Sequence, residues 1–223
     1  MTPTVTILQL DTHFPRVPGD VASTDTYLNE VEIIRIPLAT VDKIVSARPD
    51  LIDITPFEAA IESAQAEIIV TSCGFLSYWQ QHLQKGTDKI FISSALIALE
   101  RLSQQFAPEE VLTLTFDDSR LTAQHFNEYP SYANQTIGLP RHMLLRRVIS
   151  ENLKILDIET VTQELTEFIS TKQRENHKHL LLECTNLPPY KAELQKKSGL
   201  GITDILTCIE AARPNTIRTE FLT

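Results

Sequence analysis

Two apolar stretches of the same pattern decide the fold: EIIVTSC at residues 67–73 and HLLLEC at residues 179–184. Each is typical of a buried strand that ends in a cysteine, and a turn and then a helical segment follow each of them. The two cysteines, Cys73 and Cys184, stand about half of the 223-residue chain apart. The simplest interpretation is two similar α/β lobes, each with one thiol at the carboxyl end of a strand, where open α/β sheets bind ligands.

Short apolar runs alternate with segments of helical period along the rest of the chain. The predicted strands cover residues 4–10, 31–38, 67–72, 89–93, 111–116 and 179–183. The predicted helices cover residues 57–65, 75–84, 96–105, 121–128, 160–174 and 204–212. This alternation favours parallel sheets that are covered by helices on both faces.

Composition restricts the partners and the compartment. The formal net charge of −9 argues against nucleic acid or an anionic membrane surface as a partner, because both need clustered Lys and Arg. It still allows a small anionic substrate in a locally positive pocket. The N-terminus MTPTVTILQLD lacks a basic region, and no apolar run approaches the ~18 residues that a membrane span needs. We therefore expect a cytoplasmic protein without a signal peptide.

Three cysteines make a disulfide framework improbable in a reducing compartment. None of them forms a C-x-x-C or C-x-x-H pair, so neither a zinc knuckle nor a dithiol motif is predicted, and no metal site is expected. Cys208 stands beside Ile205 and Ile209 on the apolar stripe of a helix and is interpreted as core. The chain also lacks a glycine-rich phosphate loop, and no cofactor is predicted.

Two facing thiols would have a specific use. A free thiol has a pKa of about 8.5, and about 2 kcal/mol of preferential stabilisation of the thiolate lowers it to around 7. A helix N-terminus can supply this stabilisation through its unpaired N–H groups. One thiolate can then remove a proton from a carbon while the opposite thiol returns one on the other face. Such a device inverts a stereocentre without a metal or an organic cofactor.

Four segments spread over most of the chain resemble the cofactor-independent aspartate/glutamate racemase superfamily. The two cysteine motifs are TSCGF at residues 71–75 and ECTNLPPY at residues 183–190. DTHFPRVPGD at residues 11–20 and VLTLTFD at residues 111–117 support them, in the order of the family. The resemblance implies two flavodoxin-like lobes with parallel sheets flanked by helices and an active site in the cleft between the lobes.

The resemblance also implies how the chain divides and what the cysteines do. The first lobe would comprise residues 1–97 and 201–223, and the second lobe residues 98–200. Cys73 and Cys184 would face each other across the cleft as the two catalytic bases. A homodimer is compatible with the resemblance, since members of the superfamily often form dimers.

The turns after the cysteines depart from the pattern of glutamate racemases, which place Asn-Thr after the first cysteine and Thr-His after the second. Here Gly74 and Phe75 follow the first, and Thr185 and Asn186 follow the second. The hydroxyl of Thr185 can donate to a substrate carboxylate. Asn186 can hydrogen-bond to a substrate but lacks the acid–base capability of a histidine.

Three candidates lie in the loop after the first strand. Asp11 is predicted to bind a substrate ammonium group or to orient the Cys73 proton, with a turn aspartate as the alternative. Arg16 is the candidate donor to a second carboxylate, because a guanidinium fork matches that group. His13 is a candidate acid–base or substrate-binding group. A surface arginine and a loop histidine are the alternatives for these last two.

Two further candidates flank Cys73, and one lies two residues after it. Gly74 allows backbone N–H groups to approach an anion closely, although an ordinary turn glycine explains it as well. Ser72 is either a binding hydroxyl or a capping residue. Phe75 is either the floor of the pocket or core.

The last candidates lie at the ends of strands in the second half of the chain. Thr115 and Asp117 close the strand at residues 111–116, at a carboxyl edge, although Asp117 also reads as a helix-entry cap. Glu183 is predicted to point to the opposite face of its strand from Cys184 and to be a structural partner there.

The sequence therefore predicts a racemase of acidic amino acids, aspartate or glutamate, or of related α-substituted carboxylates. A cysteine-dependent hydantoin racemase or a maleate-type cis–trans isomerase is the first alternative. Two cysteines fit these reactions better than the decarboxylases of the superfamily, which use one. A ligand-binding α/β protein whose thiols take no part in turnover is the alternative of another class.

Overall fold

The computed structural model describes residues 2–223, whose strands form two parallel sheets of four strands each. The first sheet has the order β2-β1-β3-β4 and comprises β1 Val5–Gln9, β2 Glu32–Arg35, β3 Ile68–Thr71 and β4 Ile90–Ile92. The second has the order β6-β5-β7-β8 and comprises β5 Val111–Thr115, β6 Thr136–Gly138, β7 His179–Leu182 and β8 Gly201–Thr203. The predicted α/β fold with two similar lobes is confirmed.

Burial explains which strands the sequence reveals. The central strands β1, β3, β5 and β7 are buried at every position. A strand that is covered on both faces needs a continuous apolar run, and this is the pattern at residues 67–72 and 179–183. The prediction missed β6 and β8, because each is a three-residue edge strand that contains a glycine and too few apolar positions to show a period.

Helices lie between the strands. The α-helices are α1 Val41–Ile44, α2 Thr55–Ser63, α3 Gln80–Lys85, α4 Leu99–Leu102, α5 Leu144–Glu151, α6 Ile158–Lys172, α7 Lys191–Ser198 and α8 Ile205–Ala212. The helices predicted at 57–65, 160–174 and 204–212 are confirmed within a few residues. None of these α-helices is long and apolar enough to cross a bilayer within the described part of the chain.

Other helix predictions need correction. The segment predicted at 75–84 begins as a 3-10 helix, Gly74–Trp79, and continues as α3. The segment predicted at 96–105 is likewise a 3-10 turn followed by the short α4. The segment predicted at 121–128 forms only the 3-10 turn Ala123–Phe126. The helices α1, α5 and α7 were not predicted. The charged sequence KAELQKKS of α7 shows why: it buries only Lys191 and Leu194.

The predicted lobe boundary at residue 200 needs a shift. Residues 201–203 form β8 and pair with β7 in the second sheet, where Leu180 is in register with Ile202. The chain then returns to the first lobe, since α8 packs against β4. The tail follows it there: the Leu28 N–H donates to the Thr216 carbonyl at 3.0 Å.

His179, at the start of β7, makes the stability of the fold sensitive to acid. Its Nε2 lies 2.9 Å from Thr203 Oγ1, and its ring stacks on Phe106. Burial, reinforced by the positive charges of Arg101 and Lys191, lowers the pKa of His179 to about 4. The unfolded chain therefore binds a proton at this residue that the folded chain does not, and stability is lost as the pH falls from the ordinary value of 6.5 toward 4.

We expect His179→Gln to remove this loss. Between about pH 7 and about pH 4.5, the free energy of unfolding of the wild type should fall by about 2–3 kcal/mol more than that of the variant. Urea denaturation at the two pH values measures the difference. The matched control is His142→Gln at an exposed position, which should follow the wild type. Equal pH dependence of the wild type and His179→Gln would contradict the assignment.

Candidate active site

The carboxyl ends of β3 and β7 meet at one small cavity between the two lobes. Cys73 stands two residues after β3, Cys184 stands two residues after β7, and both line this cavity. Its free volume is about 30 Å³, which leaves room for about one or two water molecules. The two thiols, remote in sequence, thus share one nearly water-free space.

Most of the other predicted residues also line the cavity. They are Arg16, Ser72, Gly74, Phe75, Thr185 and Asn186. The remaining wall is largely apolar and includes Leu10, Phe14, Val41, Val45, Phe116 and Ile149, which the sequence did not single out. These apolar residues come from both lobes, and the alternation pattern that finds strands carries no signal for them.

Two predicted residues of the first loop are not among those lining the cavity. The Asp11 carboxylate accepts the Leu38 N–H at 3.2 Å and lies 3.7 Å from the Arg35 guanidinium. His13 Nε2 lies 3.2 Å from the same guanidinium. Both side chains thus meet Arg35, the last residue of the neighbouring strand β2. The substrate-binding role of Asp11 stays a prediction, and in this structure its carboxylate contacts Leu38 and Arg35.

Two predicted residues of the second lobe also lie outside the cavity wall. Burial opposes ionisation of Asp117, but hydrogen bonds from Ser119 and Arg146 outweigh it and lower the pKa of this carboxyl. Arg146 Nη2 donates to Asp117 Oδ2 at 2.6 Å and holds the carboxylate away from the cysteines. Thr115 is buried and donates to Glu183 Oε2 at 2.6 Å. It therefore positions Glu183, which lines the cavity, and does not line the cavity itself.

Each cysteine sulfur faces the backbone N–H of the residue two positions further on. The Phe75 N–H favours the thiolate of Cys73, and the Asn186 N–H favours that of Cys184. Burial nevertheless dominates, and with the negative charge of Glu183 it raises the pKa of Cys73 to about 12. The same two causes raise the pKa of Cys184 well above its usual range. Burial thus opposes the lowering of the thiol pKa to near 7 that the sequence suggested, because little water can solvate a thiolate in this cavity.

Glu183 is the main residue that sequence reasoning placed wrongly. It follows the last residue of β7, so the alternation of the strand no longer sets its direction, and it lines the cavity with 1% of its surface exposed. Oε2 accepts the Thr115 hydroxyl, whereas Oε1 has no hydrogen-bond partner among residues 2–223. Burial outweighs the Thr115 hydrogen bond and raises the pKa of Glu183 to about 7. A glutamate in the otherwise apolar run LLLEC was the available signal.

A hydrogen-bond network holds the polar side of the cavity. Arg16 Nη1 lies 3.2 Å from Asp20 Oδ1, and Arg16 Nη2 donates to Thr12 Oγ1 at 2.9 Å. Asn186 Nδ2 donates to the other Asp20 oxygen at 2.5 Å, and the Cys184 thiol donates to Asn186 Oδ1 at 3.8 Å. The buried Arg16 Nε–H has no hydrogen-bond partner among the described residues. A guanidinium with one uncommitted donor suits a small carboxylate.

Thr185 has a different partner from the predicted one. Its hydroxyl donates to the Ser72 carbonyl at 2.8 Å, and this bond ties the turn after β7 to the turn after β3. With this hydrogen bond in place, its proton is not free for a substrate carboxylate. Thr185 instead holds the two cysteine turns against each other.

Two α/β lobes with a cysteine from each at a shared cavity define a recognised architecture: this is the fold of the aspartate/glutamate racemase superfamily. Allantoin racemase from Pseudomonas fluorescens superposes with a TM-score of 0.57 at 10% identity, over 94% of this chain and 89% of that chain. Glutamate racemase from Francisella tularensis superposes with a TM-score of 0.52 at 13% identity, over 95% of this chain and 79% of that chain. The resemblance predicted from the cysteine motifs is confirmed for the fold.

Two curated relatives carry the name of a lyase. Dimethylsulfoniopropionate lyase from Durusdinium sp. clade D is 23% identical over 215 residues, 90% of this chain and 70% of that protein. Dimethylsulfoniopropionate lyase 5 from Emiliania huxleyi is 25% identical over 227 aligned positions, 94% of this chain and 44% of that protein. The chain thus spans less than half the length of the second relative. No protein-family model matches the chain.

Proposed function

We propose that this chain is a cofactor-independent enzyme that removes a proton from the carbon next to a carboxylate, with Cys73 and Cys184 as its acid–base pair. The observation that carries the proposal is the shared cavity, in which one thiol from each lobe stands with the uncommitted Nε–H of Arg16. The substrate is a small molecule with a carboxylate, and Arg16 binds that carboxylate. A racemase, an isomerase and a lyase that act on such a carbon share this first step.

Different residues of the cavity contribute to the removal of this proton. One cysteine, as thiolate, takes the proton from the α-carbon, and the electron pair left behind spreads into the carboxylate. Arg16 stabilises the charge that develops on the carboxylate oxygens. The N–H groups of Phe75 and Asn186 stabilise the thiolate before the transfer. The apolar wall keeps water out and so strengthens these interactions.

Elimination from a β-substituted propionate is the first candidate reaction. For dimethylsulfoniopropionate, the α-proton goes to the cysteine, a carbon–carbon double bond forms, and the carbon–sulfur bond breaks. Dimethyl sulfide leaves with that electron pair, and acrylate remains. The names of the two relatives support this candidate. The cavity wall supports it too, because its apolar side chains suit the methyl groups of this substrate.

Racemisation of aspartate, glutamate or a related α-substituted carboxylate is the second candidate. It is favoured by the presence of two thiols, since inversion by two bases uses a donor on one face and an acceptor on the other. Elimination requires one base only. Hydantoin racemisation, maleate isomerisation and ligand binding without turnover are the other outcomes that the same experiment distinguishes.

Proton exchange with solvent tests the proposal directly. The purified chain is incubated in D₂O with dimethylsulfoniopropionate, with D- and L-aspartate and glutamate, and with a hydantoin and maleate, and the reactions are followed by ¹H NMR. Vinyl signals of acrylate identify the lyase, and loss of the α-proton signal together with loss of circular dichroism identifies the racemase. Tight binding of a panel member without exchange or product formation would overturn the proposal. Light scattering on the same sample tests the homodimer.

A further inference from the structure

The carboxyl group of Glu183 lies in the cavity wall next to both thiols, and the chemistry above leaves it without a role. Cys73, Cys184 and Glu183 line the same cavity, and the negative charge of Glu183 acts on both thiols. One of its oxygens is held by Thr115, and the other has no partner within residues 2–223 although the residue is almost completely buried. A buried polar atom without a partner is costly in a purely structural role.

The other charged and titratable groups around the cavity leave Glu183 unpaired. Arg16 faces the cavity, but its guanidinium forms its salt bridge with Asp20 and not with Glu183. Tyr190 is buried, and its pKa is raised by burial and by the charges of Asp20 and Cys184. Within the described residues, no Lys, Arg or His forms an ion pair with Glu183. The other acidic groups in the cavity wall are the two cysteines.

We propose that Glu183 is the proton acceptor that converts a cavity thiol into the thiolate base. A proton moves from the cysteine Sγ to Glu183 Oε1, which leaves a thiolate and a neutral carboxylic acid, and no other bond changes. In a cavity with room for one or two waters, a thiol has little access to bulk solvent as an acceptor. Only the catalytic part of this inference rests on the proposed function. The effect of Glu183 on the two thiols can be measured without a substrate.

The pKa of Cys73, raised to about 12, lies above that of Glu183, raised to about 7, so the transfer is uphill and forms the thiolate only as a minor state. The ionised carboxyl is one cause of the raised pKa of both thiols, so a proton that moves onto Glu183 removes part of the barrier to forming the thiolate. The pKa of Glu183, raised to about 7 by burial, lets this carboxyl both accept and release a proton near neutrality. The Gly74 turn leaves space for the carboxyl, because a Cβ at this position would overlap Glu183 Oε1.

Glu183→Gln tests the inference through two readouts that should move in opposite directions. The amide keeps the shape of the side chain and an oxygen for Thr115, but it carries no charge and accepts no proton from a thiol. Loss of the negative charge should lower the pKa of the two thiols. A lowering by about one unit would speed alkylation of Cys73 and Cys184 by iodoacetamide at pH 8 roughly tenfold. Loss of the acceptor should slow α-proton exchange by about 10²-fold or more and remove an inflection near pH 7 from the rate profile.

Mass spectrometry of the alkylated peptides gives a rate for each cysteine separately. Cys208 lies outside the cavity wall and is the internal control, whose rate should not change. Thr115→Val is the matched structural control, because it removes the hydrogen bond to Glu183 but leaves the carboxyl. It should keep the inflection in the rate profile, shifted upward in pH, since the Thr115 hydrogen bond lowers the pKa of Glu183.

Two results would overturn the inference. Unchanged alkylation of both cavity cysteines in Glu183→Gln would mean that the carboxyl does not act on the thiols. Faster alkylation with unchanged exchange would mean that its charge acts on the thiols but that it accepts no proton. If the wild type exchanges no substrate of the panel, the proposed function fails. The alkylation rates then decide by themselves whether Glu183 is coupled to the thiols.

Discussion

Replacing Cys184 by alanine is expected to lower the rate of α-proton exchange by about 10²–10⁴-fold, the range that general acid–base groups contribute. Cys73→Ala is expected to have an effect of the same size if the reaction is a racemisation, because both faces of the carbon then need a proton-transfer group. If the reaction is an elimination, one of the two variants should lose far more activity than the other. Exchange rates from NMR, measured with saturating substrate, separate the two patterns.

Cys208→Ala is the matched control for the cysteine variants. This thiol is also buried, and burial raises its pKa to about 12, but it lies in α8 and not in the cavity wall. The control should retain the activity of the wild type, which shows that loss of a buried sulfur alone is tolerated. Substantial activity in both Cys73→Ala and Cys184→Ala would exclude the thiols as the acid–base pair.

Gly74→Ala is expected to have the largest effect on stability of any single methyl addition near the site. A Cβ at this position would lie 2.7 Å from the Glu183 backbone oxygen and 2.8 Å from its carboxyl carbon, closer than real Cβ contacts. The backbone oxygen belongs to the turn after β7 and cannot rotate away as a flexible side chain can. We expect the free energy of unfolding to fall by about 1–3 kcal/mol, and α-proton exchange to fall with it, because the turn that carries Cys73 must shift.

Urea denaturation measures this loss, and two variants sharpen its interpretation. Gly86→Ala adds the same methyl group at the end of α3, where the only atom near it is the Leu83 carbonyl oxygen at 3.3 Å, and should change stability by less than about 1 kcal/mol. Glu183→Ala in the Gly74→Ala background removes the clash with the carboxyl but not the clash with the backbone, so recovery should be partial. If Gly74→Ala were as stable as the wild type, the turn could accommodate the methyl group, and the expected clash with Glu183 would be wrong.

Local sequence was sufficient for the central strands and for the position of the thiols. A central strand of a parallel sheet must be apolar at nearly every position, and the residue after it lies at the carboxyl edge whatever the rest of the chain does. The runs before Cys73 and Cys184 therefore predicted both the two lobes and the shared site. The edge strands β6 and β8 were not predicted, because a strand of three residues with one exposed side has no continuous apolar run.

The protonation states and polar partners were decided by the tertiary structure alone. Asp11 and Arg16 lie in one loop, yet Asp11 meets Arg35 of a neighbouring strand, while Arg16 lines the cavity that Cys184 of the other lobe also lines. Glu183, predicted as a structural residue on the opposite face of its strand, lies buried in the wall of the cavity that both thiols line. Sequence determines apolar periodicity, which is a property of neighbouring residues. A pKa depends on the water and the charges within a few ångströms, and here these come from residues about a hundred positions apart, which only the folded chain brings together.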